Sequence, residues 1–249
     1  MKIVTGFGAI LAAAFTWFAG AASAHHVWLE PEGQGVQLCF GEFGENLREA
    51  SPGALDKLEP RAKAQSVAPS SAQAGAAAGA ERPLTVQKTG NGFTVSGKIE
   101  PTDSIVAEDV RYPVFVRTKD GTTTRSIYLP AARIVPDRTA RTPLLDLDIV
   151  PAGGDAFKVT FKGQPLPKAK VAVVTSAGWG RELHTDDKGE FSVGLPWRGP
   201  YVFEVQHADK TPGKRGEEAY DVVNYVTSLT VGQPDGLEPL PALPAAKPH

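Results

Sequence analysis

Phe157-Lys158-Val159-Thr160-Phe161 alternates apolar and polar side chains, and the residues after it repeat that device at short intervals. Lys162-Gly163-Gln164-Pro165-Leu166-Pro167 reads as a turn, 169–175 as a second run and Thr185-Asp186-Asp187-Lys188-Gly189 as a second turn. Two further runs follow at 191–195 and 201–205. A period of two sends successive side chains to opposite faces, the pattern of strands that bury one face. Runs of this length, broken by turn residues, describe a small antiparallel sandwich of about 80–100 residues. The expected sandwich begins near Gly153 and occupies 153–232.

The remainder reads the same way. Strand-like runs lie at 36–40, 84–88, 93–99, 114–118, 144–150 and 222–231, most of them bounded by Gly, Pro, Asn or Asp. Asn91-Gly92, Asp120-Gly121 and Lys188-Gly189 supply residues that tolerate the positive φ of short hairpins. Only 52–63 and 129–134 have mildly helical character. Residues 60–83, rich in Ser, Ala and Gly with little large enough to bury, read as a flexible insertion. Residues 233–249 read as a proline-rich disordered tail. The expected class is therefore all-β, with an N-terminal β domain at 25–152 followed by the C-terminal sandwich.

Lys2 precedes an uncharged stretch that ends in Ala22-Ser23-Ala24, small side chains of the kind a signal peptidase selects. Residues 1–24 thus read as a signal peptide cleaved before His25, which predicts a periplasmic protein with no membrane span after cleavage. The chain that remains carries 25 Lys+Arg against 28 Asp+Glu, a formal charge of −3, and nothing in that balance favours nucleic acid. Cys39 is the sole cysteine, so no intramolecular disulfide can form; it reads as a small buried hydrophobe within a strand.

Five histidines are the candidates for chemistry: His25, His26, His184, His207 and His249. Cleavage before His25 frees its α-amine beside its imidazole, a pair of nitrogens able to chelate a metal near neutral pH. His26 adds a second imidazole. Nitrogen-rich sites of this kind favour Cu(II) and Ni(II) over Mg, Ca or Mn. A distant partner is also expected, and His207 with Asp209, at the end of a strand, are the best placed; His184 reads as a surface histidine and His249 as idle. Enzyme templates are missing: there is no Gly-x-Ser-x-Gly elbow, glycine-rich phosphate loop, His-Glu-x-x-His or Cys pair. Trp28, Trp179 and Trp197 read as packing residues.

Two stretches carry a resemblance. Ala24-His25-His26-Val27-Trp28-Leu29-Glu30-Pro31 is similar to the Ala-His-x-x-Trp-Leu-x-Pro opening of a family of bacterial periplasmic proteins. The second runs from Gly178-Trp179-Gly180 through Leu195-Pro196-Trp197 to His207-Ala208-Asp209, with Tyr220-Asp221 and Tyr225-Val226-Thr227 beyond it, and Gly41-Glu42 and the Arg111-Tyr112-Pro113 region add to the resemblance. That family is catalogued as a domain of unknown function and often labelled nickel or cobalt uptake accessory proteins. The resemblance implies an N-terminal β domain followed by a transthyretin-like or carboxypeptidase-regulatory-like sandwich, and makes His25, His207 and Asp209 the positions that match the family's pattern. His26 stands where the family often has an acidic residue, and His184 where it commonly has a basic one.

The function expected is a periplasmic accessory, not an enzyme, that binds a divalent transition metal (nickel, cobalt or copper) at His25, His26, His207 and Asp209. It would pass the ion to an inner-membrane metal importer. Two alternatives come from other classes: a copper-dependent histidine-brace oxidase acting on polysaccharide, and a metal-free structural or adhesive β-sandwich module.

Overall fold

In the computed structural model, residues 25–33, 35–66 and 79–248 are described, and the expected signal peptide and His249 lie outside them. The first strands are β1 (His26–Glu32), β2 (Gly35–Glu42), β3 (Leu47–Arg48), β4 (Arg61–Gln65), β5 (Glu81–Lys88), β6 (Phe93–Ser96) and β7 (Ser104–Glu108). Then come β8 (Phe115–Lys119), β9 (Thr122–Val135), β10 (Leu147–Gly153), β11 (Ala156–Phe161), β12 (Gln164–Pro165) and β13 (Lys170–Val174). The last are β14 (Gly180–His184), β15 (Glu190–Ser192), β16 (Gly199–Asp209), β17 (Gly213–Arg215), β18 (Glu218–Tyr220) and β19 (Val222–Gln233). No α-helix occurs among the described residues, so the all-β expectation holds.

One mixed sheet of 13 strands runs through both halves of the chain in the order β1-β2-β6-β5-β4-β7-β9-β19-β16-β13-β14, with β3 on β2 and β8 on β9. It curls until β1, its first strand, packs across β9 and β19. Val27, Leu29, Val36, Leu38, Phe40, Phe93, Val95 and Ile105 fill the space inside the curl. A second sheet, β10-β11-β12 with β15 on β11, covers the far end. Phe157, Val159 and Phe191 of that sheet meet Val171, Phe203, Val205 and Leu229 of the large one, and this is the sandwich core.

The two halves share one sheet. β9, from the N-terminal half, pairs in parallel with β19 from Val222↔Ser126 to Val231↔Val135. β10, expected to lie before the boundary at Gly153, is a strand of the sandwich itself. Gly153 and Gly154 take φ of 108° and 59° in the turn that joins β10 to β11. Glycine there serves a hairpin, and not a linker.

Four further expectations are corrected. At the ends of the expected insertion, residues 61–65 pair with 81–84 as strands from Ala62↔Leu84 to Gln65↔Glu81, and its middle, 67–78, lies outside the described residues. Ala62 and Ala64 are buried there because a small side chain fits where sheet and core approach closely. Residues 129–134 lie within β9, between β7 and β19, and pairing on both edges overrides their helical propensity. Helical character at 52–63 reduces to a 3₁₀ turn at Ala54–Lys57. The tail is extended but tied down: Ala246 N–H donates to Asn46 O at 3.1 Å, Leu243 N–H to Ser176 O at 2.9 Å and Leu237 N–H to Pro196 O at 2.9 Å.

A buried ion pair clamps the junction of the two sheets. Arg133 on β9 donates through Nη1 to Asp148 on β10 at 2.8 Å and to Thr142 O at 3.1 Å, and through Nη2 to Ser104 on β7 at 3.0 Å. Leu144 N–H donates to the same Asp148 oxygen at 2.7 Å. Burial pushes the Asp148 carboxyl up and the Arg133 guanidinium down, and their mutual attraction offsets part of each shift. Removing one partner strands the other in the interior. Asp148→Ala is therefore expected to lower stability by about 3–5 kcal/mol, read as a shift in the urea midpoint at an unchanged slope.

Candidate functional site at the start of the first strand

β1 is buried on both faces. Val27 and Leu29 point into the curl of the large sheet, whereas Trp28 packs with Cys39, Phe43 and Val202. His26 shares the Trp28 face by the period of two and is 5% exposed. Two side chains from beneath fix the strand's backbone: Tyr128 O–H donates to His25 O at 2.5 Å and Ser228 O–H to Val27 O at 2.6 Å. These bonds hold the first described residues against β9 and β19.

Three carboxylates gather around the two imidazoles. His25 Nε2 donates to Glu49 Oε1 at 2.6 Å, and His25 Nδ1 lies 3.7 Å from Glu42 Oε1. Glu42 ends β2 and Glu49 follows β3, which pairs with it through Gly41↔Arg48 and Glu42↔Leu47. His26 Nδ1 lies 3.9 Å from Glu204 Oε2 on β16, and the Gln206 amide donates to His26 Nε2 at 3.3 Å. Among the described residues Glu42 and Glu204 have no lysine or arginine partner. Burial first, and then the charge of Glu42, push the Glu204 carboxyl up to about 7.

His207 and Asp209, expected as distant partners of His25, are on the other side of β16. Val202, Glu204 and Gln206 face β1, so the next residue in each case faces the sandwich core. There the His207 ring lies 4.4 Å from the Phe161 ring and Asp209 accepts from Lys162 at 2.9 Å. A single step along the strand separates the residues that reach His26 from those that do not. His184 is exposed on the edge strand β14, opposite Lys170. Neither it nor His207 is positioned to form a histidine brace with His25. Cys39 is a buried hydrophobe as expected, its thiol pushed up to about 12 by burial and then by Glu30. Trp28 is fully buried and Trp179 packs edge-on against Trp197 at 5.3 Å.

Sequence reasoning missed Glu42, Glu49 and Glu204. Glu204 has a readable signal, as the one carboxylate inside the apolar run Tyr201-Val202-Phe203-Glu204-Val205. Glu42 falls in the Gly41-Glu42 part of the family resemblance but with no sign of a role, and Glu49 has no signal, because what brings both to His25 is the pairing of β3 with β2.

Comparison with known proteins bears on the second half of this site. Residues 136–209 match a family described as a domain of unknown function (DUF4198). The chain carries a DUF4198 domain. That span begins directly after β9 and ends with β16, so it includes Glu204 and Gln206 but not the two histidines they face. No curated protein matches the chain, and no solved structure does.

The donors fit a divalent transition ion by type and charge. Imidazole suits zinc, copper, iron and nickel, and carboxylates add the negative charge that a dication neutralises. They do not yet stand in a coordination sphere: among the described residues no group of three or more His, Cys, Asp and Glu side chains is arranged to hold an ion. His25 and Glu49 are hydrogen-bonded at 2.6 Å, whereas Glu42 and Glu204 stand 3.7 and 3.9 Å from the imidazole nitrogens.

The raised Glu204 also costs stability. Its folded-state value of about 7 lies above the ordinary 4.5, so the folded protein binds the extra proton between those values and stability falls as pH rises through that window. Glu204→Gln is expected to flatten this slope and to stabilise the protein at pH 8 by on the order of 2–3 kcal/mol. Urea melts of both proteins at pH 5 and pH 8 in EDTA read the difference; equal slopes would contradict the assignment.

Proposed function

We propose that the chain is a periplasmic accessory protein that captures a divalent transition metal ion at His25, His26, Glu42, Glu49 and Glu204, for delivery to an inner-membrane importer. The supporting observation is the convergence of three carboxylates on two histidines, with Glu42 and Glu204 lacking any lysine or arginine among the described residues. Such a cluster is under-neutralised at neutral pH, and a dication relieves it. Nickel, cobalt and copper all suit the mixed nitrogen and oxygen donors; the resemblance of the mature start to nickel and cobalt accessory proteins favours the first two.

The chain's own residues divide the work. Tyr128 and Ser228 keep the β1 backbone in place, so the His25 and His26 rings present their nitrogens without first ordering the strand. Glu49 orients His25, and Gln206 selects the His26 tautomer that directs Nδ1 to Glu204. With the signal peptide removed, the His25 α-amine joins the donors. Loading displaces the proton from Glu204, so affinity rises with pH across neutrality. The reading is therefore of a carrier.

Titration calorimetry of the mature chain with Ni(II), Co(II) and Cu(II) tests this. One saturable site is expected, tighter at pH 8 than at pH 6. Glu49→Gln and Glu204→Gln should each weaken it by about 10–100-fold, His25→Ala should abolish it, and His207→Ala should leave it unchanged. One alanine added ahead of His25 should weaken binding in the same range as Glu49→Gln. Absence of bound ion in equilibrium dialysis at micromolar concentration, or affinity insensitive to His25→Ala, would sink the proposal.

A further inference from the structure

His25 forms part of the wall of a cavity of about 520 Å³, a volume typical of small-molecule sites. The rest of the wall is mostly apolar: Phe40 from β2, Tyr128 from β9, Phe115 from β8, and Tyr112 with Pro113 before it. Tyr112 and Tyr128 meet edge to face, with centroids 5.0 Å apart and planes at 80°. Phe115 is 39% exposed, on a strand paired only to β9. Rings set at such angles offer both faces and edges to a further ring, the arrangement in which aromatic groups pack best.

Two polar groups of the wall, Lys57 and the Tyr112 hydroxyl, can donate to an anion. Among the described residues no carboxylate lines the cavity. Lys57 does, at the end of the 3₁₀ turn, exposed and without an ion pair among the described residues. The Tyr112 hydroxyl has no hydrogen-bond partner among the described residues, and burial with Asp109 nearby keeps it protonated, so it is a donor. Tyr128, in contrast, already spends its hydroxyl on His25 O. Lys57 and Tyr112 are therefore the two donors left to a guest.

We propose that this cavity binds a small aromatic carboxylate, its ring among Phe40, Tyr112, Phe115 and Tyr128 and its carboxylate on Lys57 and the Tyr112 hydroxyl. The site takes nothing from the proposed metal chemistry, since Glu42, Glu49 and Glu204 do not line it. It shares His25 with the carboxylate cluster, so a guest and an ion would meet on one imidazole.

The test uses the mature chain in EDTA, which separates it from any failure of metal binding. Titration calorimetry with 1-naphthoate, 1-naphthalenemethanol and 1-naphthylmethylamine compares one ring system bearing an anion, a neutral group and a cation. Naphthoate is expected to bind about tenfold more tightly than the alcohol, with the amine weakest. Lys57→Met should erase the preference for naphthoate while leaving the alcohol's affinity in place, and Tyr112→Phe should reduce naphthoate binding alone. Phe115→Ala should weaken all three probes, with an unchanged thermal melt showing that the fold persists. No saturable binding of naphthoate by about 1 mM, equal affinity for acid and alcohol, or a preference that survives Lys57→Met would overturn the proposal.

Discussion

Burial of β1 on both faces is the constraint on which the rest of the structure depends. A strand on the surface of a sheet needs only one apolar face, and the other is free to be polar. Here Val27 and Leu29 serve the curl of the large sheet while Trp28 and His26 serve the layer formed by β16. Each large apolar side chain so buried contributes about 1.5–3 kcal/mol. The start of β1 is thereby part of the core, and the two histidines there are held in place.

The same geometry creates the electrostatic tension of the site. Covering β16 with β1 removes Glu204 from water and places Glu42 close enough to add its charge. Elsewhere the fold handles a buried carboxylate differently: Asp148 is met by a guanidinium and a backbone N–H. Around His25 and His26 the counter-groups are imidazoles, and no lysine or arginine among the described residues meets Glu42 or Glu204. A fold that satisfies one buried carboxylate with arginine and leaves another to histidine has concentrated its unrelieved charge in one place, and strongly shifted groups of this kind gather at functional sites.

β16 is the shared wall that makes two halves into one body. Tyr201, Phe203 and Val205 belong to the sandwich core, whereas Val202 packs with Trp28 and Glu204 reaches His26. The parallel pairing of β9 with β19 continues the sheet across the same junction, and Arg133 with Asp148 ties the second sheet to it. The DUF4198 span ends with this wall, so the carboxylate side of the site lies within it and the histidine side outside it.

The all-β class, most strands and the role of Cys39 were legible in the residues, because alternation and turn chemistry are local and need no knowledge of what packs where. Ala62, Ala64 and the 129–134 segment were not, since small or helix-prone residues become strands only through neighbours far along the chain. Gly153 and Gly154 advertised a break correctly but not its kind. His25 and His26 stood out by their position after a cleavage motif, a property of sequence alone. Their companions did not: the choice of Glu204 over His207 turns on which face of β16 meets β1, and Glu42 and Glu49 come to His25 only through the pairing of β3 with β2. Residue type and period are written in one dimension; the partner of a face is decided only when two sheets close upon each other.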